Sequence, residues 1–480
     1  MAAHGHRYAG RSQETVAKYN LDICHLSRFH LSLLFIHPNE TELGENAKGP
    51  GWGLLHFGGR ASLRRRMLWC RIRAASVIQE DHRAALTVTK SCLPTAIAMA
   101  CSLTAPLGIA VLLALPGLAL AAAAPSDLAD LGRALFFDTR LSAGGNQSCS
   151  SCHDPSQAFS DSRDNGTGGA ASLGDDGASL GDRNAPSLGY AFLIPEFHRN
   201  KDGNYVGGFF VDGRAATMIK QAQEPILNPI EMALPDADAV RERVREIPGY
   251  VAAFEKLLGP SSLDSATSAL VSVATAIAAF ERTAEFAPFD SKYDRYLRGE
   301  VELSDEEELG RILFFSELIN CSRCHLLDRR EHQSAEVFTS HRYHNIGVPV
   351  NAQVRGKNGL GENHLDTGLL QNPDVNDTIW SGRFRVPSLR NVAVTGPYMH
   401  NGVFHELETA IVFYNRFLIA TDESRINPET NQPWGSAEVP QTVDLELLRE
   451  GQPLTNGLVS QLVAFLKTLT DQRYEHLLDR

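Results

Sequence analysis

Beyond residue 124 this 480-residue chain is short of cysteine: it has four, standing as two close pairs. The other four, Cys24, Cys70, Cys92 and Cys101, all come earlier. No thiol is left over for the disulfide framework of a small secreted domain. Positive charge is scarce in the same region. Residues 1–123 carry 13 of the 45 Lys+Arg and only 7 of the 57 Asp+Glu, so the remainder holds 32 basic against 50 acidic groups. That balance of −18 disfavours binding to nucleic acid or anionic lipid and suits a basic redox partner. No run alternates polar and apolar residues over several positions, which argues against a large sheet.

One stretch lacks charge altogether. Residues 91–126 hold no charged side chain after Lys90, and they enclose the apolar run 107–115 and an alanine tract at 121–124. This is the order of a signal peptide, and Pro116 with the short apolar core argues against a retained membrane anchor. We therefore expect 91–124 to be a signal peptide and the product to be periplasmic, with no membrane attachment after cleavage. Residues 1–90 show no sustained helical or strand period and are rich in Arg, His and Gly. They are expected to be an unstructured leader, or sequence ahead of a true start near residue 87–89.

The four late cysteines carry the chemistry. They form Cys149-Ser150-Ser151-Cys152-His153 and Cys321-Ser322-Arg323-Cys324-His325. In each CxxCH, two thiols can form thioethers to one porphyrin, and the adjacent imidazole reaches the iron. A zinc site would want its two CxxC pairs close together, and here well over a hundred residues separate them. Two covalently bound c-type haems are expected, with His153 and His325 as iron ligands.

The surroundings of the two motifs repeat. Leu131-Gly132-Arg133 with Leu135-Phe136-Phe137 precedes the first, and Leu309-Gly310-Arg311 with Leu313-Phe314-Phe315 precedes the second. Downstream, Pro186-Ser187-Leu188 is echoed by Pro387-Ser388-Leu389. Apolar residues fall at helical spacing over 266–281 and 456–469, with Thr455 placed to cap the latter. Glycine-rich loops interrupt at 166–181 and 356–361, and 427–440 is a further connection. The expected fold is mainly α: two cytochrome c-like haem domains, 125–295 and 296–480, related by internal duplication.

Several ordered motifs now resemble a known family. They are Arg183-Asn184-Ala185-Pro186, Asp212-Gly213-Arg214-Ala215, Gln221, Asn228-Pro229-Ile230-Glu231-Met232, and Pro387-Ser388-Leu389-Arg390-Asn391-Val392 leading to Pro397-Tyr398-Met399-His400. With the two CxxCH pentads they are similar to the bacterial di-haem cytochrome c peroxidases and their relative MauG, over about 128–470. The resemblance implies a peroxide-reactive first haem on His153 and an electron-relaying second haem on His325. It implies Glu231 as the acid–base group and Gln221 as its amide partner. Chemistry agrees, because splitting O–O needs a proton moved from one oxygen to the other, and a carboxyl group above the iron can move it. Pro225 is expected to shape the wall beside them.

The sixth iron ligands set the subtype. Many relatives close the first haem with a His from the following loop, but residues 154–182 contain neither His nor Met. His198 is the next candidate and sits in a polar stretch that reads as a loop. The first haem is thus expected to be open. Where the peroxidases place a Met on the second haem, fourteen residues after His400, this chain has Tyr414, as in MauG. A phenolate oxygen lowers the potential relative to a thioether. Met399 is the rival ligand, and a core tyrosine on a helix over 408–414 is the plain alternative.

Val211 departs from the family, which places a Trp before Asp-Gly-Arg as an electron bridge between the haems. Val cannot hold a hole, so the path must run through space, by Phe209 or Phe210, or by another route. The resemblance further implies calcium at Asn184, Thr395 and Pro397, an oxygen-rich set. Asp212-Gly213 is expected to be a tight turn with Asp212 capping the helix of Gln221. Arg214 is expected to face a haem propionate or the acidic surface.

The functional expectation is an exported di-haem oxidoreductase that reacts with hydrogen peroxide. Its partner would be a small electron donor (a cytochrome c or cupredoxin) or a protein substrate oxidised as in MauG. The alternative from another class is a di-haem electron carrier without peroxidase activity, which would need both irons saturated.

Overall fold

Most of the longer helices in this chain begin where a short polar side chain accepts an otherwise orphaned backbone N–H. The computed structural model describes residues 125–326, 335–361 and 363–479, all within one compact unit. The expected leader (1–90) and signal peptide (91–124) lie outside those residues. Asp127 starts α1 (Leu128–Phe136) by accepting from the Asp130 N–H at 2.9 Å. One turn, α2 (Cys149–Cys152), carries the first pentad. Thr217 caps α3 (Met218–Leu227), and Asp236 caps α4 (Ala237–Glu246). After α5 (Tyr250–Leu258), a Ser265/Ser268 capping box starts α6 (Ala266–Phe280), which is buried on most of its surface. The second half holds α7 (Lys292–Leu297), α8 (Asp305–Phe315) and α13 (Asn456–Lys467); the short α9 (Ala352–Arg355), α10 (Leu407–Val412), α11 (Asn415–Leu418) and α12 (Leu445–Leu448) lie between. Thr455 caps α13, as its sequence implies.

The repeated Leu-Gly-Arg has a packing cause. A Cβ on Gly132 of α1 would lie 1.8 Å from the carbonyl oxygen of Ala276 on α6. A Cβ on Gly310 of α8 would lie 1.8 Å from that of Gln461 on α13. Both helix pairs therefore cross backbone against backbone, which only glycine permits. Phe280 and Phe465 stand next to these crossings in turn. The correspondence pairs Ile277 with Leu462 and Glu281 with Leu466 along the two partner helices.

Each crossing sits in its own apolar core. One runs from Leu131 to Phe286, the other from Tyr293 to Leu469. Phe136, Phe280 and Phe286 meet edge-on in the first, as do Phe338, Tyr293 and Phe465 in the second. Burying each such ring contributes roughly 1.5–3 kcal/mol.

Strand structure among the described residues is confined to three two-residue antiparallel pairs. They are β1 (His198–Arg199) with β2 (Tyr205–Val206), β3 (Tyr343–His344) with β4 (Phe384–Arg385), and β5 (Ile426–Asn427) with β6 (Gln432–Pro433). Residues 205–215 run along the β3–β4 pair. The Arg385 N–H donates to the Val211 carbonyl at 2.8 Å, and the Gly207 N–H donates to the His341 carbonyl at 3.0 Å. Buried polar contacts fasten the two halves together: the Tyr190 hydroxyl donates to Asp471, which the Asn391 amide holds from its own half at 2.8 Å, and Arg183 pairs with Asp366.

Candidate haem sites

The two pentads adopt the same local geometry. In the first, the His153 N–H closes on the Cys149 carbonyl at 3.0 Å, ending the single turn with both thiols and the imidazole facing one cavity. His153 Nδ1 lies 3.2 Å from the Phe159 carbonyl. His325 repeats this, with its N–H on the Cys321 carbonyl at 3.1 Å and its Nδ1 3.1 Å from the Phe338 carbonyl. Burial holds both imidazoles neutral, pushing His325 down to about 4. Nδ1 then carries the proton and donates, so Nε2 keeps its lone pair for a metal. Phe159 and Phe338 both adopt left-handed backbone, with φ of 57° and 54°. That conformation costs a non-glycine residue energy, and here each ring is fully buried in its core. These two phenylalanines were not singled out in the sequence, because nothing in a single residue type announces a carbonyl's direction.

The first cavity gathers Gln221, Pro225 and Glu231 with Cys149, Cys152 and His153. Gln221 stands mid-way along α3. Pro225, four residues on, has no N–H to return to the Gln221 carbonyl, and the helix ends two residues later. The chain folds back, with the Glu231 N–H on the Asn228 carbonyl at 3.0 Å and the Met232 N–H on the Pro225 carbonyl at 3.1 Å. Burial raises the Glu231 carboxyl above its ordinary value, and Arg214 and Asn228 partly offset this. Arg214 borders the same cavity, its guanidinium 3.6 Å over the Phe210 ring and paired with Asp212 and Glu224. Asp212 does not cap α3, contrary to expectation. Thr217 does, and Asp212 is fully buried between Arg183 and Arg214, because two guanidiniums outcompete a backbone N–H for its carboxylate. Gly213 makes the expected turn at φ 71°.

Met232 of the quoted motif borders the first cavity, as do two groups that the sequence did not single out, Met218 and Glu281. Glu281 ends α6, and burial pushes it up to about 8. Its counterpart in the second half is Leu466, so the carboxyl belongs to the first site alone. His198 lies exposed on β1, away from both cavities.

The second cavity brings Tyr414 together with Cys321, Cys324 and His325. Tyr414 lies in the short gap between α10 and α11, not within one long helix, and burial pushes its phenol up. Met399 lines the same space, so the structure places both ligand candidates there. His400 beside it stacks on Phe384 at 3.6 Å between ring centres. Asn184, Thr395 and Pro397 also line this cavity. The Asn184 N–H donates to the His400 carbonyl at 2.9 Å and its Nδ2 to the Gly169 carbonyl at 3.3 Å. Its Oδ1 accepts no hydrogen bond among the described residues. Val211 borders both cavities, in the wall they share.

Comparison with known proteins agrees with this arrangement. The family model for di-haem cytochrome c peroxidase matches residues 126–302. Methylamine utilization protein MauG of Paracoccus denitrificans is 52% identical over 359 residues, covering 74% of this chain and 92% of the relative. Cytochrome c551 peroxidase of Nitrosomonas europaea is 29% identical over 350 residues, covering 72% and 80%. The crystal structure of the diheme peroxidase BthA from Burkholderia thailandensis has a TM-score of 0.64 at 33% identity, covering 72% of this chain and 87% of that one. Two helical halves, each closing a histidine and a cysteine pair around a cavity, are thus matched over most of their length, and the chain belongs to the di-haem cytochrome c peroxidase and MauG family of haem oxidoreductases.

Proposed function

We propose that each pentad binds one haem covalently and that the first haem reacts with hydrogen peroxide while the second relays electrons. The cores divide between Phe286, the last residue of one, and Tyr293, the first of the other, a few residues ahead of the 295/296 boundary expected from the sequence. The matched helix crossings support descent from one duplicated unit. The residues fit the cofactor: two thiols and one free imidazole Nε2 open onto a largely apolar cavity in each half. The haem supplies the iron that takes electrons to and from the substrate.

The chain's own residues supply proton control. The Glu231 carboxyl takes a proton from one peroxide oxygen and returns it to the departing one. Its raised pKa suits both tasks, because a strongly acidic carboxyl would not give the proton back. The Gln221 amide orients the peroxide as a neutral donor. Tyr414, on the cavity of His325, would serve the second iron as an oxygen ligand. Asn184 Oδ1, with the Thr395 and Pro397 carbonyls, suits a calcium ion that ties the halves together.

The observation that carries this reading is the asymmetry of the two cavities. Gln221, Pro225, Glu231 and Glu281 all face His153, while the matched position opposite His325 is Leu466. The carboxylates lining the second cavity, Asp366, Glu438 and Glu450, are each paired with an arginine, whereas no salt bridge holds Glu231 or Glu281 among the described residues; a pure carrier has no use for such unpaired acids on one side only. The protein would act after export, in the periplasm. Oxidation of a protein substrate is favoured over scavenging by Tyr414 and by the extent of likeness to MauG. Steady-state assay with peroxide and reduced cytochrome c tests this: slow turnover is expected. Fast turnover would favour scavenging. A resting protein whose first haem binds neither cyanide nor carbon monoxide would overturn the peroxide reading.

A further inference from the structure

Between the cavities lies a positive charge with no counter-ion. Arg385 ends β4 and is 9% exposed. It borders both cavities. No carboxylate pairs with it among the described residues. Its Nε is buried without any partner, and Nη2 makes only a 3.4 Å contact to the Phe210 carbonyl. The nearby acid, Asp212, is already held by Arg183 and Arg214. Tyr343, across the strand pair, spends its hydroxyl on the Gly207 carbonyl.

Beside it stands a second unmet group. His341 is 2% exposed, lines the second cavity, and has no partner on either ring nitrogen. Arg385 and burial together keep this ring neutral, with its pKa down near 3. A neutral imidazole can still donate one N–H. Leaving a buried guanidinium unpaired costs several kcal/mol, so a missing anion is implied. A haem carries two propionate carboxylates.

We propose that Arg385 and His341 hold a propionate of the haem in the second cavity, Arg385 as counter-ion and His341 as hydrogen-bond donor. This rests on the di-haem reading above. It also gives Val211 a context. The Arg385 N–H donates to the Val211 carbonyl at 2.8 Å, so the chain propionate–Arg385–Val211 reaches the wall of the first cavity through hydrogen bonds. Val211 itself supplies no aromatic bridge, and this hydrogen-bonded path runs through its carbonyl, beside Phe209 and Phe210 on the first cavity.

The test is a redox titration of the intact di-haem protein. Arg385→Leu should keep two haems and lower the second haem's midpoint potential, since losing a buried positive charge disfavours an added electron. Arg385→Lys should restore most of that shift. His341→Phe should leave the charge but alter the propionate-bending bands in the resonance Raman spectrum, which also serves if Arg385→Leu fails to fold. Two bound haems with an unchanged potential in Arg385→Leu, or unchanged Raman bands in His341→Phe, would overturn the proposal. So would a wild-type potential that tracks added chloride or formate, which would mark a diffusible anion as the partner. Fewer than two haems in the wild type would instead sink the di-haem reading itself.

Discussion

Glu231 and Tyr414 are single side chains on which the two halves differ in chemistry. Glu231→Gln keeps the shape and hydrogen-bonding capacity of the side chain but cannot cycle a proton. Its rate with peroxide is expected to fall by roughly 10²–10⁴-fold with haem content unchanged. Stopped-flow mixing with peroxide measures this, and a rate within threefold of wild type would remove Glu231 from the chemistry. Tyr414→Met exchanges an oxygen for a sulfur donor. The second haem's midpoint potential is expected to rise, with a sulfur–iron charge-transfer band appearing in the spectrum. An unchanged potential would make Tyr414 a packing residue and bring Met399 forward. Both residues were legible in the sequence through motif register. Glu281, Arg385 and His341 were not, because an isolated Glu, Arg or His carries no sign of whether its partner is missing.

At the scale of elements, the close helix crossings dominate. Gly132→Ala and Gly310→Ala each place a methyl group 1.8 Å from a carbonyl oxygen. Each should cost about 3 kcal/mol or more, as overpacked sites do. Gly457→Ala, on α13 with nothing within 4 Å of the new Cβ, is the control and should gain up to about 1 kcal/mol. Chemical denaturation separates them, and equal midpoints for all three variants would refute backbone contact as the reason for glycine. The helices themselves were readable from period and cap: α6 and α13 fall within a few residues of the expected spans. The end of the helix before Tyr414 was not, since no Gly or Pro marks it. The cap of α3 was misread for a related reason: Asp212 and Thr217 are both competent caps, and only the positions of Arg183 and Arg214 decide which is free to act.

For the whole molecule, acid stability reports on the contacts between halves. Asp366 is buried, which alone would raise its carboxyl, but hydrogen bonds and charge from Arg183 hold it down at about 2 against an ordinary 3.8. A carboxyl depressed on folding stabilises the protein fully above its unfolded value and loses that contribution as pH falls through the folded one. The contribution, about 2 kcal/mol, should therefore vanish between pH 4 and pH 2. Unfolding measured across that window should show a drop that Asp366→Asn lacks; equal slopes would mean the pair adds nothing.

What the amino-acid sequence determined by itself was local and covalent: two CxxCH pentads, helix periods with their caps, the repeated Leu-Gly-Arg, and the motif order that marks the family. These depend on neighbours a few residues apart. Only the tertiary structure decided that Gln221, Pro225 and Glu231 share one cavity, that Asn184, Thr395 and Pro397 line the other, and that Arg385 stands unpaired at the wall beside Val211. Those facts join residues up to some two hundred positions apart, and whether a buried charge has a partner depends on everything packed around it.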